Sequence, residues 1–257
     1  MAGLGRAMLT SWVLASLTAC SFQDFDYLSA DFGSEGGGGN GGNATNACSD
    51  QVDGESCDDG DVCTLSSLCS GGMCEGSGET GCVVADSFQE FSTAAQGVEG
   101  WHYGYWAAGL DTDADYDPDT DFQQLQACGD NVWSTSCVAR DDPAFSWTQI
   151  MAALQHAAIA PHLQLPVRRW VSDVSGPATV ALDHHHANPG EGDGTRAILR
   201  IDGVQVWVNE IAGDDALGVQ TAVDVDLRVG TRVELMLHPR VSEAQDMTHF
   251  SIVLTDR

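Results

Sequence analysis

Six aspartates stand at every second position in one short stretch: Asp111, Asp113, Asp115, Asp117, Asp119 and Asp121. Calcium takes six to eight hard oxygen ligands, and loops of closely spaced carboxylates supply them. The run is not the twelve-residue EF-hand loop. Tyr116 occupies the position where that loop turns on glycine, and no glutamate closes it at the twelfth place. Bound calcium and a solvated acidic loop are the two readings of this run. Just upstream, Trp101, Tyr103, Tyr105 and Trp106 offer aromatic surface on which a sugar ring could stack. On a strand, Trp101, Tyr103 and Tyr105 share one face while His102 and Trp106 share the other, and at least one face belongs to the core.

Other reactive residue types point nowhere definite. His184 and His186 would share a strand face near Asn188-Pro189-Gly190. Paired histidines can bind zinc or copper, but no third ligand lies close in sequence, and an exposed polar strand end is the favoured reading. Arg168 and Arg169 beside Trp170 read as partners for carboxylates. No G-x-S-x-G elbow, H-E-x-x-H pair, Walker loop or unpaired nucleophilic cysteine occurs, so no catalytic residue is assigned. Thirty-eight acidic residues make chance carboxylate pairs inevitable, so such pairs alone do not argue for a glycosidase.

Charge limits the partners. The 257 residues carry 38 acidic against 10 basic side chains, a net charge of −28. All ten basic residues are arginine, and residues 20–139 hold 22 carboxylates and no cation. Nucleic acid needs clustered Lys/Arg against its phosphates, so it is excluded as a partner. The absence of lysine also excludes Schiff-base chemistry and a phosphate-loop lysine.

The amino terminus reads as an address. One positive charge at Arg6 precedes an apolar stretch from Met8 through Leu17, too short to span a bilayer and ending in small residues. Leu17-Thr18-Ala19-Cys20 resembles the lipobox of bacterial lipoproteins. That resemblance implies a signal peptide over 1–19, an acylated Cys20 and a membrane anchored through lipid. Ser21, by similarity to the Gram-negative sorting rule, implies the outer membrane, at the cell surface or on its periplasmic face. Residues 20–47 are rich in Gly, Asn, Asp and Ser, with Gly36-Gly37-Gly38-Gly39-Asn40-Gly41-Gly42 at the centre, the composition of a disordered, flexible tether.

Of nine cysteines, one is the lipid site, six fall in 48–82 (Cys48, Cys57, Cys63, Cys69, Cys74 and Cys82), and two are Cys128 and Cys137. Even numbers in an exported chain argue for disulfides. The 48–82 stretch has too few apolar groups to fold without them, and its six cysteines allow 15 pairings. It lacks the C-x₂-C knuckle, which argues against zinc. The run Cys57-Asp58-Asp59-Gly60-Asp61-Val62-Cys63-Thr64, then Cys69, Gly72, Cys74 and Gly76, resembles short cysteine-rich modules of extracellular bacterial proteins, used as spacers between domains.

Residues 83–257 read as an all-β domain, an antiparallel β-sandwich of jelly-roll type. Val219, Thr221, Val223, Val225, Leu227 and Val229 alternate with wetter residues. Runs around Ala197–Ile201 and Val204–Val208 flank Asp202-Gly203, a hairpin signal. One segment is expected to differ. From Asp142-Pro143 to Ala160, Trp147, Ile150, Met151, Leu154 and Ala158 recur at helical spacing, which predicts a short helix on the sandwich. Asp86-Ser87-Phe88, Gly100-Trp101-His102-Tyr103-Gly104-Tyr105, Val167-Arg168-Arg169-Trp170, Gly192-Asp193-Gly194, Trp207 and Phe250 resemble the galactose-binding-like carbohydrate modules of exported bacterial proteins. The resemblance implies a surface lipoprotein whose sandwich binds an extracellular glycan or polymer without catalysis. A structural envelope or adhesion protein with protein partners, and a diverged secreted hydrolase, are the alternatives.

Overall fold

The computed structural model describes residues 48, 51–57, 59, 63–78, 81–129 and 131–257. The expected signal peptide over 1–19, the acylated Cys20 and the tether over 20–47 lie outside the described residues. In the cysteine-rich module, β1 (Thr64–Ser70) and β2 (Met73–Gly78) form a hairpin that sets Cys69 opposite Cys74. These two cysteines are not bonded to each other. Disulfides join Cys48 to Cys69, Cys57 to Cys74 and Cys63 to Cys82, which ties the hairpin to the segments before and after it.

The remaining strands, all antiparallel, are β3 (Val83–Asp86), β4 (Trp101–Trp106), β5 (Phe122–Gln124), β6 (Gln126–Ala127), β7 (Val132–Ser134), β8 (Gln149–Met151) and β9 (Leu154–His156), followed by β10 (Leu165–Val171), β11 (Gly176–His186), β12 (Thr195–Ile201), β13 (Val204–Ile211), β14 (Val219–Leu227), β15 (Arg232–His238) and β16 (Thr248–Asp256). One sheet runs β13-β12-β15-β10-β4-β5, and the other runs β14-β11-β16-β9-β8-β7-β6 with β3 also on β16. All described regular structure is β, as the alternation of the last third requires. Asp202 and Gly203 both take positive φ, 49° and 83°, and close the β12–β13 hairpin expected of an Asp-Gly pair.

Between the sheets, Trp101, Tyr103, Trp170, Leu199 and Leu235 from one face meet Val180, Leu182, Phe250, Ile252 and Leu254 from the other. Strands β10 and β15 are buried at nearly every position, on both faces. The reason is a second apolar layer on the outside of the six-stranded sheet: Trp106, Tyr116, Leu165, Val167, Ile198 and Met236. The acidic loop 107–121 supplies Tyr116 to that layer, so a loop read as solvated is in part a cover.

The helix expected over 142–160 does not form. Its middle forms β8 and β9, which pair with β7 and with Thr248–His249 of β16. Of its helically spaced apolar residues, Ile150 enters the inter-sheet core, and Ala158 bridges to Gln164 instead of continuing a turn. The available edge of β16 outweighs a helical repeat that runs little more than three turns. Strand registers gather loops 107–121, 157–164, 187–194, 212–218 and 239–247 at one end of the sandwich. The module attaches at the other end, where Asp256 accepts the backbone N–H of Gly81 and Cys82 at 2.7 Å each.

Candidate functional site

The chain turns away from the sheet after Trp106, the last residue of β4. Gly109 lets it pass close to the 157–164 loop: its N–H donates to Leu163 O at 3.0 Å, and a Cβ there would lie 2.6 Å from the Leu163 nitrogen. The returning chain enters β5 at Phe122. Between these limbs lies a cleft of about 260 Å³, lined by Trp106, Ala107, Leu110, Asp111, Thr112, Asp121 and Gln123.

Trp106, Asp111, Asp121 and Gln123 of the cleft are each oriented by a neighbour. The Trp106 indole N–H donates to Asp111 Oδ2 at 3.1 Å. Asp111 Oδ1 also accepts the Asp113 N–H at 3.3 Å. Desolvation raises the pKa of Asp111, but the hydrogen bonds from Asp113, from Trp106 and from the Ala114 backbone together hold it below its ordinary value. Asp121 Oδ2 accepts the Asp117 N–H at 2.7 Å, fixing the return of the loop. The Tyr105 hydroxyl donates to Gln123 Oε1 at 2.7 Å, which leaves the amide nitrogen of Gln123 as its free donor.

The far part of the loop is pinned through Tyr116. Its hydroxyl donates to the fully buried Glu234 at 2.7 Å, and burial followed by the Glu234 charge pushes its pKa up. Arg169 Nε donates to the same Glu234 oxygen at 2.8 Å, and its Nη2 donates to Pro118 O at 2.7 Å. The guanidinium also lies 3.7 Å above the Phe122 ring. Asp119 pairs with Arg232. The loop is therefore held by an aromatic plug and two ion pairs rather than left loose.

The structure divides the candidate residues of the sequence. Trp106, Asp111 and Asp121 meet in the cleft, with Tyr105 behind Gln123. Trp101 and Tyr103 do not: both face the inter-sheet core, where Trp101 donates to Glu90 at 2.7 Å and Tyr103 stacks on Trp133 at 5.3 Å. A stacking role for these two is thereby corrected, because their strand parity turns them inward. Asp113, Asp115, Asp117 and Asp119 point to separate partners. All four also accept or donate within the loop, the Asp115 N–H to Asp113 at 3.3 Å and the Asp119 N–H to Asp117 at 2.8 Å. Among the described residues, the groups of three potential metal ligands within 4.8 Å of one another consist of disulfide cysteines, one with Asp256. Gln123, Thr112 and Leu110 carried no signal in the sequence, since Gln123 lies in a three-residue strand with no periodicity and the other two in a loop. The Cys128–Cys137 disulfide closes the loop beyond β6.

His184 and His186 are also corrected. Neither is at an exposed strand end; both are buried, because loops 187–194 and 239–247 fold over the end of β11. His184 contacts Asn209 Oδ1 at 3.3 Å and Thr195 Oγ1 at 3.0 Å, and burial lowers its pKa to about 4. His186 Nδ1 accepts the Asn188 N–H, so Nε2 carries the proton toward Asp246 Oδ1, 3.4 Å away. Asp246 accepts from Gly194 N–H at 3.1 Å, its second oxygen has no partner, and burial raises its pKa to about 6. Arg169 finds the carboxylate expected for it. Arg168 does not: it is fully buried against Gln155 Oε1, Ser87 O, Met151 O and Leu154 O, and desolvation lowers its pKa to about 10.

No protein-family model matches the chain, and no curated protein sequence matches it. Solved structures similar to it include a CBM51 carbohydrate-binding module from Clostridium perfringens GH95 in complex with methyl-galactose (TM-score 0.30, 13% identity, covering 42% of this chain and 72% of that one). A family 35 carbohydrate binding module from Clostridium thermocellum is similar over 35% of this chain and 69% of its own, with TM-score 0.25 and 12% identity. The Stig cyclase Fisc from Fischerella sp. is similar over 69% of this chain and 98% of its own, with TM-score 0.32 and 8% identity. Carbohydrate-binding modules are thus among the structural neighbours.

Proposed function

We propose that the chain is an exported lipoprotein, anchored through Cys20 at the outer membrane, whose β-sandwich binds an extracellular saccharide in the Trp106–Asp111–Asp121–Gln123 cleft. The tether and the stapled module then act as spacers between lipid and sandwich. The observation that carries the binding reading is the cleft itself. It sets an indole beside two carboxylates, a hydroxyl and an amide in about 260 Å³, a little under the roughly 300–1,000 Å³ of sites for drug-sized ligands. Saccharide hydroxyls need oriented acceptors and donors over an apolar wall, and the indole, both carboxylates and the amide are fixed by neighbours before any ligand arrives.

The charge state of Asp111 speaks against its serving as the acid of a hydrolase. A glycosidase needs one carboxylic acid kept protonated by a raised pKa. Asp111 is shifted the opposite way, since its hydrogen bonds with Asp113, Trp106 and Ala114 overcome desolvation. The full chain in detergent, applied to a glycan array with and without calcium, tests the proposal. Retention of a saccharide by the native chain and its loss in Gln123→Ala is expected. No retention under either condition would favour a protein partner and defeat the saccharide reading.

A further inference from the structure

The middle histidine of the run His184-His185-His186 turns to the opposite side of the sheet from its neighbours. His184 and His186 are buried, whereas His185 is half-buried on the outer face of β11. In the register of β11 with β16 it stands directly opposite His249, which is also half-buried and points outward between the buried Thr248 and Phe250. The two rings lie 4.4 Å apart between centroids and 17° from parallel. Gly218 borders His185 with backbone alone, and a Cβ there would lie 2.3 Å from that of His185. Asp183, two residues back on the same face, accepts the His185 Nδ1–H at 2.9 Å. A carboxylate only accepts, so Nδ1 holds the proton and Nε2 keeps its lone pair. Carboxylates placed in this way orient metal-bound imidazoles and raise their basicity. Burial, then the charge of His185, lowers the pKa of His249 against the pull of Asp183, which favours the neutral, ligating form.

From the paired rings and the carboxylate behind one of them, we infer that His185 and His249 form a surface clamp for one divalent ion of the copper or zinc type. Asp183 acts as the positioning residue of His185. Imidazole suits these ions, whereas calcium and magnesium take hard oxygens. Two nitrogens each about 2.0 Å from a tetrahedral ion lie about 3.3 Å apart. Tilting the rings toward a common point gives that spacing while both strands stay in register. Water completes the shell, and the net charge of −28 concentrates cations around it. None of these residues lines the Trp106 cleft, so the inference stands apart from the saccharide reading.

Copper(II) is the probe, added to the full chain in detergent at neutral pH and followed by titration calorimetry and electron paramagnetic resonance. One ion should bind, with a spectrum coupled to two nitrogens. His185→Ala and His249→Ala should each leave coupling to one nitrogen and weaken binding about tenfold or more. Asp183→Asn keeps an acceptor for the Nδ1–H but loses the charge. It should weaken binding about tenfold with both nitrogens retained, which also tests the clamp should a histidine variant fold poorly. Coupling to two nitrogens that survives in both histidine variants would put the ion on other histidines and overturn the inference. So would a spectrum of oxygen ligands alone, the mark of copper held by the acidic surface, or an affinity unchanged in all three variants.

Discussion

Two buried groups at the loop-rich end of the sandwich titrate in opposite senses, and the pH dependence of stability should reveal them once they are separated. His184 is fully buried and its pKa is lowered by desolvation to about 4 from an ordinary 6.5. Below pH 6.5 the unfolded chain takes up a proton that the folded chain refuses. Stability is therefore lost as pH falls from about 6.5 to about 4, by about 3 kcal/mol at 1.36 kcal/mol per unit. Asp246 is 1% exposed, and burial raises its pKa to about 6 from 3.8. Here the folded chain binds the proton first, so stability is gained as pH falls from about 6 to about 4, again by about 3 kcal/mol. Hydrogen bonds from the Gly194 N–H and from His186, 3.4 Å away, offset part of that rise in Asp246. The two effects offset each other in the native chain. Urea unfolding at pH 7, 5.5 and 4 should show His184→Gln gaining about 3 kcal/mol relative to the native chain on acidification, and Asp246→Asn losing about as much. Curves that stay parallel in all three proteins would refute the reasoning, since each variant removes one of the opposing slopes.

Other substitutions test other joints of the structure. Arg168→Met strands the buried carbonyls of Ser87, Met151 and Leu154 and the side chain of Gln155; chemical denaturation should show a loss of about 3–5 kcal/mol. Tyr116→Phe leaves the buried Glu234 short of a donor, so a loss of about 1–3 kcal/mol is expected, with faster hydrogen exchange confined to loop 107–121. Replacing Cys128 and Cys137 with alanine opens a loop of separation 9; a decrease of about 2–3 kcal/mol in the denaturation midpoint energy is expected from chain entropy.

Much of the fold was written locally. The alternation through 219–227 and the Asp202-Gly203 pair each specify their conformation within a few residues, and both appear in the structure as β14 and the β12–β13 turn. What was not legible depends on distant partners. Strands β5 to β9 are two or three residues long, too short for a period-2 signal, and exist because β4 and β16 present edges to them. The helical spacing of Trp147, Ile150, Met151, Leu154 and Ala158 was overridden for that reason. Parity along β4 separated Trp101 and Tyr103 from Trp106, but which face met the core was decided by the opposite sheet. The burial of His184 and His186 follows from loops more than 50 residues away in one case, since Asp246 lies 60 residues from His186. The cleft joins residues that the sequence had placed in two unrelated hypotheses, a metal loop and a stacking platform.

The binding claim is tested most directly by nuclear magnetic resonance on the indole and amide side-chain signals. The Trp106 Nε1–H is hydrogen-bonded to Asp111 within the cleft, whereas Trp101 and Trp170 lie in the inter-sheet core. On titration with the saccharide retained on the glycan array, the Trp106 indole and Gln123 amide signals should shift in a saturable way while those of Trp101 and Trp170 stay in place. Saturable shifts centred on other residues, or none at any sugar concentration, would contradict a saccharide site in this cleft.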